Sequence, residues 1–233
     1  MSAKTTYKAG DVITINVVFS ETVDVDTAGG TPTLTLETGT TDRNASYVSG
    51  SGTNTLSFSY TIQAGDTSAD LNYKATSSLA LNGATIQDAV GNNAALSLPA
   101  LASGNALAGS SALVIDTAAT AIQSVSSPTA DGTYTTGDTI TINVVFSEDV
   151  TVNTSGGTPQ LTLETGSTDQ NASYSSGSGT NTLAFSYTVQ NGDTSADLNY
   201  KATSSLALNG GTIQDAAGNN ATLTLPALAS NNA

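Results

Sequence analysis

Apolar and polar residues alternate with period two through Gly137–Glu148 (GDTITINVVFSE), where Ile140, Ile142, Val144 and Phe146 interleave with Thr141, Asn143 and Val145. β-Branched residues in that rhythm predict a strand with one buried face and one more polar face. The strand is expected to start at the Gly-Asp turn and to stop at the acidic pair Glu148-Asp149. A near copy, GDVITINVVFSE, occupies Gly10–Glu21.

Downstream of that copy the same rhythm recurs in short pieces. Thr31–Glu37 turns Leu34 and Leu36 inward, and Asn44–Val48 continues with Ala45 and Tyr47. Thr55–Gln63 sets Leu56, Phe58, Tyr60 and Ile62 on one face. Asp70–Lys74 predicts a shorter strand on Leu71 and Tyr73, and Leu79–Leu81 a further apolar patch. Ala84–Asp88 follows the Asn82-Gly83 turn, Leu96 and Leu98 come next, and Ser111–Asp116 (SALVID) reads as a closing strand. Gly, Asn and Asp clusters such as Ser49–Asn54 separate the pieces. Helical spacing is absent apart from one turn near Ala75–Leu81. Phe19, Phe58 and Tyr60 fall on the inward phase and are predicted core.

The two copies are 127 residues apart. Tyr7–Ala106 overlays Tyr134–Ala233 without a gap, with 81 of 100 positions identical, and Gly65–Gly83 matches Gly192–Gly210 throughout. Such self-similarity marks a tandem array, each unit about as long as a β-sandwich domain. Short strands at close spacing with Gly, Asn and Asp turns make the expected fold all-β: two tandem Ig-like (Greek-key) β-sandwiches. Their predicted extents are 1–116 and 122–233, joined by a linker over 117–121. Ile122–Ser126 (IQSVS) reads as a first strand of the second unit with no counterpart in the first, and SALVID has no counterpart in the second. Two explanations are open: the sequence is out of phase with the domains, or each end accepts a strand from a neighbour and builds a filament by β-augmentation. Met1–Thr6 departs from its counterpart Pro128–Thr133, and reads as a start placed within a longer repeat protein.

Charge narrows the function. There are 19 Asp and Glu against 5 Lys and Arg, for a net charge of −14. Divided at Thr117, the first part carries 10 acids and 4 bases, the second 9 and 1. A field of that sign argues against nucleic acid and anionic lipid and favours solubility or a divalent cation. With only 10% of residues charged and 38% hydrophobic, the chain is expected to fold rather than remain an acidic tail. No apolar run reaches the length of a membrane span, so no membrane insertion is expected, and no signal peptide is evident. Cysteine is absent, which fits the cytosol and also an extracellular bacterial repeat with no thiol to mispair.

Several pieces, in order and twice over, resemble a known type: Thr133–Val150 (TYTTGDTITINVVFSEDV), Gly157–Gly166 (GTPQLTLETG), Ser176–Gln190 (SGSGTNTLAFSYTVQ), Asn191–Tyr200 (NGDTSADLNY), Leu208–Asn219 (LNGGTIQDAAGN) and the hinge Leu113–Thr117 (LVIDT). Together they are similar to the Ig-like, cadherin-like tandem repeats of large bacterial surface adhesins and RTX-type proteins. The resemblance implies an extracellular, cell-surface stalk that carries a separate binding domain, often stiffened by calcium, with neighbouring repeats of the same protein as its contacts. Family hinges continue with a proline after IDT, whereas this chain continues with Ala118-Ala119-Thr120.

Calcium takes six to eight oxygen ligands from carboxylates, amides and carbonyls. With Ig-type topology, Glu148, Asp149, Asp215 and Asn219 are expected at one end of the second unit, where Asp116 would arrive through the linker. Glu21, Asp88 and Asn92 are the equivalents in the first unit. The same residues also suit ordinary turn chemistry, Asp215 with Asn219 as Asx-type turns and Glu148 as a solvated strand end, and there is no EF-hand spacing. Asp138, Asp193 and Asp197, with Asp11, Asp66 and Asp70 before them, form a second acidic group in which turn chemistry is favoured. Asp24 and Asp26, replaced by Thr151 and Asn153, read as solvent surface.

An enzyme is not expected. Histidine is absent, which removes Ser-His-Asp and His-ligated metal chemistry, and the paired carboxylates fall on turns and recur in both units. A carbohydrate-binding module is the rival from another class. Trp is absent, and Tyr7 and Tyr134 are the candidate sugar platforms because they lie off the predicted strands.

Overall fold

A computed structural model describes residues 5–228; Met1–Lys4 and 229–233, including the predicted start, lie outside them. The chain divides into two compact units, Met1–Ala118 and Ala119–Ala233. Both are all-β sandwiches.

In the first unit the strands are β1 (Thr5–Tyr7), β2 (Val12–Asp26), β3 (Thr33–Glu37), β4 (Arg43–Ser49), β5 (Thr53–Thr61), β6 (Thr67–Ser68), β7 (Asn72–Tyr73), β8 (Leu79–Ala80), β9 (Thr85–Asp88) and β10 (Leu113–Asp116). One short helix, α1 (Leu107–Ser110), precedes β10. The second unit holds β11 (Ile122–Ser126), β12 (Thr139–Asn153), β13 (Gln160–Glu164), β14 (Gln170–Ser176), β15 (Thr180–Thr188), β16 (Asn199–Tyr200), β17 (Leu206–Ala207) and β18 (Thr212–Gln214). Leu96 and Leu98 lie outside strands but pack on the first core. The turn expected near Ala75–Leu81 is a tight loop, closed by Ser78 N donating to Ala75 O at 3.0 Å, that leads into β8.

Each unit is built on one curled sheet, to which the first unit adds a three-stranded sheet of order β1-β10-β6. In the first the curled sheet has the order β7-β3-β4-β5-β2-β9 with β8 on β3; in the second, β11-β12-β15-β14-β13-β16 with β17 on β13 and β18 on β12. The long strand makes the curl. β2 pairs antiparallel with β5 from Val12↔Thr61 to Val18↔Thr55, then shifts register before Val23 and takes β9 as partner from Val23↔Asp88 to Asp26↔Thr85. β12 repeats this with β15 and β18. This corrects the predicted strand end: β12 runs through Glu148 and Asp149 to Asn153, and β2 through Glu21 to Asp26. Acidic residues sit where the ladder slips, because a bulge leaves residues unpaired and lets them face water without ending the strand. Beyond the bulge Val23 and Val150 turn inward, 3% and 1% exposed.

The predicted inward phase forms the cores. Leu56, Phe58, Tyr60 and Ile62 are all buried, with Leu34, Leu36, Ala45 and Leu71 around them. Val144, Phe146, Leu161, Leu163, Leu183 and Phe185 do the same in the second unit. Tyr47 meets Phe58 edge-on with ring centroids 6.0 Å apart, and Tyr174 meets Phe185 at the same 6.0 Å, a geometry that aromatic quadrupoles favour. Phe19 is only half-buried, since it lies beside the bulge, and packs on the core edge. Gly157 shows how close the backbone packs: its φ is +153°, and a Cβ there would lie 1.7 Å from the Asn209 carbonyl oxygen.

Candidate functional site

The acidic residues singled out by the sequence sit on two parts of each sandwich. Near the bulge of β12 lie Glu148, half-buried, and Asp149, exposed. Because Thr151 pairs with Gln214, the residue after β18, Asp215, falls beside that bulge. A carboxylate oxygen of Glu148 lies within 4.8 Å of one of Asp215. Two oxygens on one calcium, each about 2.4 Å from the ion, are at most about 4.8 Å apart, so this pair is spaced to share a hard cation.

Asp215 is buried and is held by its own loop. Its Oδ1 accepts from the backbone N–H of Ala217 and of Asn219, both at 2.9 Å, and its Oδ2 accepts from Asn219 Nδ2 at 3.0 Å. The expected Asx-type turn is therefore present. It also orients a carboxylate that keeps lone pairs for another partner. The first unit copies the loop: Asp88 Oδ1 accepts from Val90 N and Asn92 N at 2.9 and 2.8 Å, and Oδ2 from Asn92 Nδ2 at 2.8 Å. The Asn92 side chain, followed by its backbone N–H, holds the Asp88 carboxyl below the ordinary carboxylate range. Glu21 is exposed, on β2 two residues before Val23, the partner of Asp88. Asp116 closes β10 in the first unit, and its Oδ1 accepts from Ala118 N at 3.0 Å.

The second acidic group separates into turns and an internal anchor. Asp138 Oδ2 accepts from Thr135 N at 2.6 Å, and Asp11 Oδ2 from Lys8 N at 2.9 Å, as Gly-Asp turns predict. Asp70 and Asp197 are exposed. Asp66 differs: it is 1% exposed and accepts from the Tyr60 hydroxyl, from Gln63 N at 2.8 Å and from Arg43 Nε at 3.0 Å. Asp193 accepts from the Tyr187 hydroxyl, from Gln190 N at 2.6 Å and from Gln170 Nε2 at 3.3 Å. Desolvation alone would raise the Asp193 pKa, but these hydrogen bonds outweigh it and hold it low. Burial, then the facing carboxylate, pushes Tyr60 and Tyr187 up to about 12. Asp66 makes the expected turn, its N–H donating to Gln63 O at 3.1 Å, and adds a buried anchor whose sequence signal is the Tyr-x5-Asp spacing shared by Tyr60/Asp66 and Tyr187/Asp193.

Asp26 Oδ1 accepts from Ala28 N at 2.8 Å and Asn153 Oδ1 from Ser155 N at 2.9 Å, so the Asp-to-Asn exchange preserves one turn. Neither candidate sugar platform is a free aromatic face. Tyr7 lies on β1 rather than off the strands and packs on the first core. Tyr134 packs on the second core and donates its hydroxyl to Ala130 O.

Comparison with known proteins adds no relative. No protein-family model, curated protein or solved structure matches the chain. Among the described residues no helix is long and apolar enough to cross a membrane.

Proposed function

We propose that the chain is an extender segment of a bacterial cell-surface adhesin, a stalk of repeated sandwiches that bears load and uses calcium as a stiffening ligand. One observation carries the reading: the second unit repeats the first down to its side-chain hydrogen bonds, including the Asp88 and Asp215 loops and the Tyr60–Asp66 and Tyr187–Asp193 anchors. Duplicating a whole module with its structural anchors extends a chain; it does not assemble a catalytic centre. The acidic charge and the resemblance to adhesin repeats support the same reading.

Asp215, Glu148, Asp149 and Asn219 are the proposed calcium ligands of the second unit, and Glu21, Asp88 and Asn92 are the corresponding set in the first unit. Calcium would neutralise neighbouring carboxylates and stabilise the folded state by mass action. Calorimetric titration of the whole chain with calcium tests this. Heat of binding that falls by one site in Glu148→Gln and in Asp215→Asn supports the second-unit ligand set; a flat titration at millimolar calcium removes calcium from the account.

A further inference from the structure

The chain holds three Asn-Gly pairs: Asn82-Gly83, Asn191-Gly192 and Asn209-Gly210. Such a pair favours loss of the side-chain amide, because a glycine leaves its main-chain nitrogen unshielded and able to swing towards the preceding side chain. All three asparagines are exposed. Water therefore reaches each of them, and what separates them is the hold on the side chain.

Asn82 and Asn209 are held. Both have a left-handed backbone, φ +53° and +51°. Their turns are closed by Ala84 N donating to Leu81 O at 3.0 Å and by Gly211 N donating to Leu208 O at 2.9 Å. Asn82 Nδ2 donates to Thr31 O at 3.0 Å and to Thr33 Oγ1 at 2.9 Å. Asn209 Nδ2 donates to Thr158 O and to Gln160 Oε1, both at 3.1 Å. Both hydrogens of each side-chain amide are thus engaged. The main chain is fixed as well, since a Cβ on Gly30 would lie 1.8 Å from the Asn82 carbonyl oxygen.

Asn191 is not held. Its backbone is not left-handed, and among the described residues its side chain makes no hydrogen bond. Its turn is closed by one longer bond, Asp193 N donating to Gln190 O at 3.3 Å. The counterpart in the first unit, Ala64, is exposed too, although β10 is paired to β6 close by, so the exposure belongs to the turn itself.

We propose that Asn191-Gly192 is a self-modifying site of the folded chain, and that the fold holds the other two pairs shut. The Gly192 nitrogen bonds to Asn191 Cγ, the Cγ–Nδ2 bond breaks, and ammonia leaves with the proton of the Gly192 N–H. Water then opens the five-membered imide at either carbonyl. The product is an aspartyl residue, or an isoaspartyl link in which the main chain runs through Cβ. Amide and water become carboxylate and ammonium, with nothing oxidised or reduced. The site lies inside the anchor turn of the second unit, where Asp193 Oδ2 accepts from Gln190 N at 2.6 Å and from the Tyr187 hydroxyl. Either product adds a negative charge two residues from Asp193, and the isoaspartyl link also lengthens the turn by one carbon. Modification therefore loosens the second unit and spares the first, whose turn carries Ala64. None of this depends on the calcium reading.

The test is to age the whole chain at mildly alkaline pH, folded in buffer and unfolded in concentrated urea. Peptide mass mapping follows conversion at positions 82, 191 and 209, and labelling by an isoaspartyl methyltransferase reads the isoaspartyl link. The folded chain should convert at position 191, with positions 82 and 209 slower by about tenfold or more, since reaction there waits for the turn to open. In urea the three rates should converge. Thr33→Val, which removes one acceptor of Asn82, should speed conversion at position 82 in the folded chain. Asn191→Ala puts in the residue that the first unit carries at this turn, so the fold is kept, and it should leave the folded chain without early product. Backbone amide NMR of the aged chain should show shifts at Gln190–Thr194 and none at Gln63–Thr67. Equal rates at the three positions in the folded chain, or a slower rate at position 191 than at the other two, would overturn the site. Unmoved amides at Gln190–Thr194 after full conversion would overturn its effect on the anchor.

Discussion

The hydroxyl of Tyr60 donates to the carboxylate of Asp66, six residues on and across the end of β5. Asp66 also takes the backbone N–H of Gln63, so one side chain ties the strand, its turn and the core together. The ties differ between units in two respects: Arg43 supplies a cation to Asp66, whereas Gln170 supplies a neutral amide to Asp193, and Asp66 is buried where Asp193 is half-buried.

That difference predicts unequal mutations. Asp66→Ala strands a Tyr hydroxyl and an Arg and should cost about 3 kcal/mol, while Asp193→Ala, at a more open site, should cost about 1–2 kcal/mol. Urea melts of each variant measure both. Equal costs would mean that neither the Arg43 contact nor the deeper burial of Asp66 contributes.

High pH should act on the same pairs. Folding raises Tyr60 and Tyr187 from the ordinary 10.0 to about 12, so the folded chain holds these protons more tightly than the unfolded one. The stabilisation they give is whole below about pH 10 and is lost as pH climbs towards about 12. Tyrosinate absorbance against pH, followed with circular dichroism, should show Tyr60 and Tyr187 among the last phenols to ionise, with their ionisation accompanying unfolding.

Acid should act on the loop carboxylate instead. Asp88 is held below its ordinary 3.8 chiefly by Asn92, so its contribution is present above that value and is lost as pH falls through the lowered one. Asn92→Ala should bring the Asp88 pKa back towards 3.8, which carbon-detected NMR titration reads directly. The stability cost should be small, because the side-chain bond is exposed to water.

Backbone crowding gives a prediction free of charge. Gly157→Ala would place a Cβ 1.7 Å from Asn209 O at a positive φ. It should destabilise the second unit by more than about 2 kcal/mol, seen as a drop in one melting transition. A neutral result would show that the loop relaxes.

The core was legible because period two is a local signal: Leu56, Phe58, Tyr60 and Ile62 announce their shared face, and all four are buried. The ends were less so. Glu148-Asp149 looks like a stop, since sequence alone does not distinguish a bulge from a strand end, and the continuation on β18 depends on residues some sixty positions later. Asp66 reads as a turn residue because Arg43, 23 residues earlier, meets it only in the folded sheet.

The proposed role is mechanical, so the most direct test is to stretch the whole chain between two tethers, first in calcium and then in EDTA. Two unfolding steps of similar length are predicted, with the force of at least one falling when calcium is withdrawn and the fall abolished by Asp215→Asn. Equal forces in calcium and EDTA, with Asp215→Asn indistinguishable from the parent chain, would contradict the calcium-stiffened stalk.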